Sequence, residues 1–123
     1  MKKSILILDD DKDILFVCAY LLEEMGWDVH MRTHCNDVLE LVKKLKPAII
    51  LMDNWIPGMG GIVATQTLKA DKELRSIPII FFSANSDIKN LSIEAGADMY
   101  LSKPFDIEVF EKVIKNTESL NLQ

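Results

Sequence analysis

Ile49-Ile50-Leu51-Met52-Asp53-Asn54-Trp55-Ile56-Pro57-Gly58-Met59-Gly60-Gly61 is the stretch that decides the fold. Its four consecutive large apolar residues predict a strand buried on both faces, the kind found inside parallel sheets. The run stops at a carboxylate. Pro57, Gly58, Gly60 and Gly61 then impose an open turn before a helical pattern resumes at Ile62. An acid where a central strand ends, under a loop and outside the core, stands where open α/β sheets keep their chemistry. Read alone, Asp53 is equally well explained as a turn-forming acid that stops the strand. The other strand ends decide between the two.

Upstream, Ser4-Ile5-Leu6-Ile7-Leu8 reads as another buried strand, and it too ends on acids, Asp9-Asp10-Asp11. Downstream, Ile77-Pro78-Ile79-Ile80-Phe81-Phe82 is a strand that tolerates proline near its start and ends at Ser83-Ala84. Met99-Tyr100-Leu101 is a short strand ending at Ser102-Lys103-Pro104. Trp27 to Arg32 alternates apolar and polar residues, the pattern of an edge strand with one wet face.

Helical spacing fills the gaps. A first helix starts at Asp11 or Lys12, uses Ile14, Cys18, Leu21, Leu22 and Met25, and stops at Gly26; acids in its first turn suit the helix dipole. Asn36 or Asp37 caps a second, with Val38, Leu39, Leu41, Val42 and Leu45 as its apolar side and Pro47 barring continuation. A third runs from Ile62 to Lys69 on Val63, Ala64 and Leu68, before a polar loop from Asp71 to Ser76. A fourth runs from Ser86 to Ala95 on Ile88, Leu91 and Ile93, with Gly96 as its stop. The last begins with Asp106 as N-cap and a hydrophobic staple between Phe105 and Phe110. Phe16, Met25, Phe81 and Phe82 read as core.

Five strands alternating with five helices predict an α/β fold. The expectation is a five-stranded parallel sheet in the flavodoxin-like, doubly wound order 2-1-3-4-5, one domain over residues 1–123 with no linker or repeat. That order sets Asp9 and Asp10 beside Asp53. A chain of 123 residues can build such a core without staples.

A net charge of -5 argues against nonspecific affinity for nucleic acid or anionic membrane. Cys18 and Cys35 lack metal-ligand spacing and read as free thiols in a reducing compartment. The apolar run after Lys2-Lys3 is too short for a signal peptide, and no stretch approaches the roughly 20 apolar residues of a membrane span. The expected location is the cytoplasm. His30 and His34 have no third ligand and read as solvent-facing or loop residues.

Clustered carboxylates repel one another and hold their protons more tightly, and a hard divalent cation relieves that repulsion. Few protein oxygens and room for water suit Mg²⁺, which readily shares a phosphoryl oxygen. Ser83 offers a hydroxyl to such an oxygen, and Lys103 a fixed positive charge. Asp9, Asp10, Asp53 and Lys103 together carry -2, which one Mg²⁺ neutralises. Such a site admits an incoming phosphoryl dianion. Central and facing the loop, Asp53 is the nucleophile for an acyl phosphate.

Taken together, Ile5–Asp11, Asp53–Gly61, Phe82-Ser83-Ala84 and Gly96–Phe105 resemble the response-regulator receiver domain of two-component signalling, of the stand-alone chemotaxis type, over essentially the whole chain. The resemblance implies that Asp53 takes a phosphoryl group from a phosphohistidine of a sensor histidine kinase or histidine phosphotransfer protein. It implies Mg²⁺ held directly by Asp10, Asp53 and the backbone carbonyl of Trp55, and mostly through water by Asp9. Ser83 would swing toward the phosphoryl group and Tyr100 would turn inward in step, remodelling the face of the fourth helix, fifth strand and fifth helix. A cis Lys103-Pro104 peptide would aim the lysine at Asp53. A downstream protein of unknown identity would read that face, with the chain a monomer or a phosphorylation-dependent dimer and no direct contact to nucleic acid or membrane.

Trp55 is large for its position, and Ile56 replaces a frequent methionine. The Trp55 ring is either a surface aromatic without a role or a shield that keeps water from the acyl phosphate. Asn85, two past Ser83, holds the other family position tied to that lifetime. The rival enzyme reading takes Asp9-Asp10-Asp11 as the start of a haloacid-dehalogenase-like phosphatase, with Asp9 as nucleophile and Asp11 as acid/base, and leaves the loop after Asp53 unexplained. A second rival is a receiver fold that never sees phosphate, although no acid or lysine is missing. A calcium loop fails because Ile14 stands where glycine is needed and Tyr20 where glutamate is. A flavin-type phosphate loop fails because nothing rich in glycine, serine or threonine follows the first strand. Glu108, Glu111, Lys112 and Lys115 read as a solvated helix face. The chain ends at Gln123 with no further segment able to bind DNA or catalyse, so it is expected either to stand alone or to be cut from a longer regulator.

Overall fold

The computed structural model describes residues 3–120; Met1, Lys2 and Asn121 to Gln123, where the start and end of the chain were read, lie outside them. The elements alternate strictly: β1 (Ser4–Leu8), α1 (Lys12–Glu24), β2 (Asp28–Arg32), α2 (Val38–Leu45), β3 (Ile49–Asp53), α3 (Gly61–Ala70), β4 (Ile79–Ser83), α4 (Ile88–Ala95), β5 (Met99–Ser102) and α5 (Ile107–Leu120). All pairings are parallel, in the expected order β2-β1-β3-β4-β5. No helix among the described residues is long and apolar enough to cross a membrane.

Strand alternation sorts the core into two layers. Leu6, Leu8, Ile50, Met52, Ile79 and Phe81 point to the side covered by α2, α3 and α4. Ile5, Ile7, Ile49, Leu51, Ile80, Phe82 and Leu101 point to the side covered by α1 and α5. Because β1, β3 and β4 are covered twice, nearly every residue in them is apolar and buried, which is why they read as continuous runs. The edge strand β2 is mostly exposed or half-buried, and Trp27, buried, precedes it.

Several helix faces differ from expectation. Residues Ile14 to Leu22 of α1 are all apolar or aromatic, so periodicity fixes no phase; Leu15, Cys18, Ala19 and Leu22 are buried, while Phe16 is 75% exposed instead of lying in the core. Val63 and Ile93 are exposed as well. Helix α3 buries Gly61, Ala64, Thr65 and Leu68, and α4 buries Ile88, Ser92 and Ala95. Strand β4 starts after Pro78, and α4 starts at Ile88, because Asn85 first closes a turn by accepting the Asp87 N–H. His34 is exposed and His30 half-buried, and Glu111 is half-buried on the otherwise exposed charged face of α5.

At the start of α2, Asp37 holds the N-cap position but its side chain makes no capping hydrogen bond, unlike the cap expected there. The caps of α1 and α5 are as expected. Asp11 caps α1, accepting from the Asp13 and Ile14 N–H groups, and Gly26 follows the helix at φ 93°. Asp106 accepts the Glu108 N–H, and the Phe105 and Phe110 rings stack at 4.9 Å. Both cysteines are free and buried. Away from the strand ends that carry the acids, the Lys69 ammonium donates to Arg75 O, Ile77 O and Asp98 Oδ2 at 3.1, 3.0 and 2.7 Å, tying α3 to the entry of β4.

Candidate functional site

Register brings the acids together. Leu8 pairs with Met52, so Asp9 and Asp53, each one residue further on, emerge side by side at the carboxyl ends of β1 and β3. One carboxylate oxygen from each of Asp9, Asp10 and Asp53 lies within 4.8 Å of the others. Asp9 is fully buried and Asp53 5% exposed, whereas Asp10 faces solvent. They line a cleft of about 420 Å³ together with Asp11, Ile14, Asn54, Trp55, Ser83, Ala84, Asn85 and Lys103.

Lys103 enters from beyond the end of β5. Its N–H donates to Ser83 O at 2.9 Å, which anchors the backbone, and the Lys103-Pro104 peptide is cis. The ammonium lies 2.6 Å from Asp9 Oδ2 and 3.1 Å from Asp53 Oδ1. To get there it passes over the face of Phe82, with Nζ 4.6 Å from the ring centroid. Ser83, 5% exposed, accepts the Asn85 N–H through its hydroxyl oxygen at 3.1 Å.

Electrostatics separate the members. Burial, then the Asp9 charge, pushes the Asp53 carboxyl up to about 6, and Lys103 only partly offsets this. Burial alone would lower Lys103, but the hydrogen bond to Asp9 and the charges of Asp53 and Asp9 outweigh it and the net shift is upward. One ammonium therefore does not satisfy the carboxylates. Oxygen donors of like charge in this excess are what a hard divalent cation relieves, so the residues present fit Mg²⁺.

Both oxygens of Asp9 are engaged, one by Lys103 and one by the Asp11 N–H, and the Asp11 carboxylate caps α1. Trp55 stands 81% exposed at the rim, and Tyr100 is 42% exposed and outside the cleft lining. Two features escaped sequence reading. Phe82 lies in the core as expected, but its register match with Asp53 also sets its ring beneath the lysine's path, which the sequence does not reveal. Gly61 packs so closely that a Cβ there would run into the Asp53 carbonyl oxygen.

Comparison with known proteins adds to this geometry. The family model of the response regulator receiver domain matches residues 5–115. The DNA-binding response regulator MtrA of Mycobacterium tuberculosis (strain ATCC 25618 / H37Rv) is 34% identical over 107 residues, 85% of this chain and 46% of that protein. The chain thus spans about half the length of the curated relatives it matches. The receiver domain of a signal transduction histidine kinase from Syntrophus aciditrophicus superposes with a TM-score of 0.86 at 26% identity, covering 95% of this chain and 90% of that one. The receiver domain of the sensor histidine kinase PA1611 from Pseudomonas aeruginosa PAO1, with a magnesium ion coordinated in its active-site cleft, gives 0.87 at 25% identity, covering 97% and 99%. Sheet order, acid cluster and these likenesses agree, and the chain belongs to the response regulator receiver domain family, the phosphorylation-dependent switches of two-component signalling.

Proposed function

We propose that residues 1–123 form one receiver domain whose Asp53 accepts a phosphoryl group from a phosphohistidine of a sensor histidine kinase or histidine phosphotransfer protein. The observation that carries this is the buried Asp53 carboxylate, crowded by Asp9 and Asp10 and met from the other side by Lys103. Asp53 forms the new O–P bond as the donor's N–P bond breaks, and the departing imidazole takes a proton. Asp10, Asp53 and the Trp55 carbonyl would hold Mg²⁺ directly and Asp9 through water. The ion supplies charge neutralisation on the phosphoryl oxygens when bound.

The chain's own residues do the rest. Lys103 offers its remaining N–H to a phosphoryl oxygen, and the Ser83 hydroxyl turns from the Asn85 N–H to do the same. As Ser83 moves, Tyr100 turns from its exposed position into the space beside it and the face of α4, β5 and α5 changes. A cytoplasmic protein partner, or a second copy of the chain, reads that face, and the acidic domain itself does not contact nucleic acid. The domain promotes its own phosphorylation and slow dephosphorylation and turns over no separate substrate.

The test is labelling with ³²P-acetyl phosphate and Mg²⁺. Label should appear on the unsubstituted domain, survive in Asp11→Asn, and vanish in Asp53→Asn. Persistence in Asp53→Asn together with loss in Asp9→Asn would establish the phosphatase-like alternative.

A further inference from the structure

We infer that Phe82 is a positioning residue for Lys103, holding the ammonium by the face of its ring while the carboxylates around it change charge. The inference rests on the phosphoacceptor reading of Asp53. Lys103 starts beyond β5, yet its nitrogen lies between side chains at the carboxyl ends of β3 and β1. It must therefore cross β4, and neighbouring strands stand about 4.8 Å apart. The β4 residue level with Asp53 is Phe82, which pairs with Asp53 on one side and with Leu101 on the other. Its side chain lies on the same side of the sheet as Leu101, the α1 and α5 side.

The ring is fixed. Phe82 is fully buried, with Phe105 tilted against it at 5.6 Å and Phe110 stacked behind Phe105 at 4.9 Å. Lys103 Nζ sits 4.6 Å from the ring centroid, inside the distance at which the negative face of an aromatic attracts a cation. An aliphatic residue would fill the same space without that attraction. Most of the lysine side chain is withdrawn from water, which strengthens the contact.

The contact matters when the other partners change. In the structure the ammonium has two carboxylates. Once Asp53 becomes an acyl phosphate its carboxylate charge passes to the phosphoryl oxygens beyond it, and the ammonium must exchange a carboxylate partner for a phosphoryl one. The ring's quadrupole does not change through these events. It keeps the amine over the β3–β4 junction, within reach of a phosphoryl oxygen on Asp53, while its anionic partners are exchanged.

Fluorination of the Phe82 ring tests this, since it drains the negative face while nearly preserving shape. Mono-, di- and trifluorophenylalanine are placed at position 82 of the full chain by site-specific incorporation. Binding of beryllofluoride, a phosphoryl mimic, at fixed Mg²⁺ and the rate of labelling by acetyl phosphate are then measured. The expected result is a graded loss reaching about fivefold in both with the trifluoro ring. Mg²⁺ affinity without beryllofluoride and the melting temperature should stay level, and in a Lys103→Ala background the series should be flat. A flat series in the Lys103 protein, or an equal slope in both backgrounds, would overturn the inference and leave Phe82 as packing. If the unsubstituted domain takes up no beryllofluoride, the phosphoacceptor reading fails and the inference falls with it.

Discussion

Replacing Asp53 by asparagine should stabilise the domain, and the gain should depend on pH in a defined way. For an acid whose affinity for its proton rises on folding, stability is fully present below the unfolded value and is lost as pH climbs through the folded one. Asp53 goes from 3.8 to about 6 through burial and the Asp9 charge, so the loss develops between about pH 4 and pH 6. At about 1.4 kcal/mol for each tenfold change, the ceiling is about 3 kcal/mol. Water and solution cations entering an open cleft reduce this to about 2 kcal/mol. For a chain of this length that corresponds to a rise of about 7 °C in melting temperature. Urea and thermal melts of the wild type and Asp53→Asn, run in EDTA at pH 7.5 and pH 3.5, read it directly. The variant should be the more stable at pH 7.5 and nearly equal at pH 3.5, and Mg²⁺ should narrow the difference by stabilising the wild type. An asparagine variant no more stable at pH 7.5, or a gap that ignores pH, would refute the account of a crowded carboxylate.

Trp55→Asn should shorten the half-life of the aspartyl phosphate severalfold, measured as loss of ³²P label, because the indole stands at the rim of the cleft; an unchanged half-life leaves Trp55 a surface aromatic. Lys69→Met keeps the stem but takes the ammonium from Arg75 O and Ile77 O and leaves Asp98 Oδ2 with the Ile79 N–H alone, and should cost about 2 kcal/mol by urea midpoint with the labelling rate within about twofold. A thiol reagent should leave both native cysteines intact and modify both once the chain is unfolded. Burial, then the Asp9 charge, pushes Cys18 up to about 12, and Cys35 is 1% exposed, so rapid native reaction at either would contradict the packing.

Strand order and the meeting of Asp9, Asp10 and Asp53 were legible because buried parallel strands announce themselves as apolar runs with abrupt polar ends. Once the edge strand was recognised by its alternation, topology followed, and with it the neighbours of Asp53. Helix faces were less legible. Nine successive apolar or aromatic residues in α1 carry no phase, which is why Phe16 reads as core yet faces solvent. Val63 and Ile93 fall outside the buried faces because small or polar residues fill them, Ala64 and Thr65 in α3 and Ser92 and Ala95 in α4, and apolar periodicity does not pick these out. The placing of Lys103 over the ring of Phe82 is hidden for a different reason: an aromatic at a core position looks the same whether or not a charge lies on its face.

The ion pair between Lys103 and Asp9 joins residues 94 apart in the chain. Asp9 and Asp53 become neighbours as soon as β1 pairs with β3, whereas the amine arrives only when β5 docks. Any species lacking that last strand therefore holds two facing anions with no counter-charge. The repulsion frustrates a partly assembled sheet and rewards its completion, so the apparatus that receives phosphate also acts as the latch closing the fold.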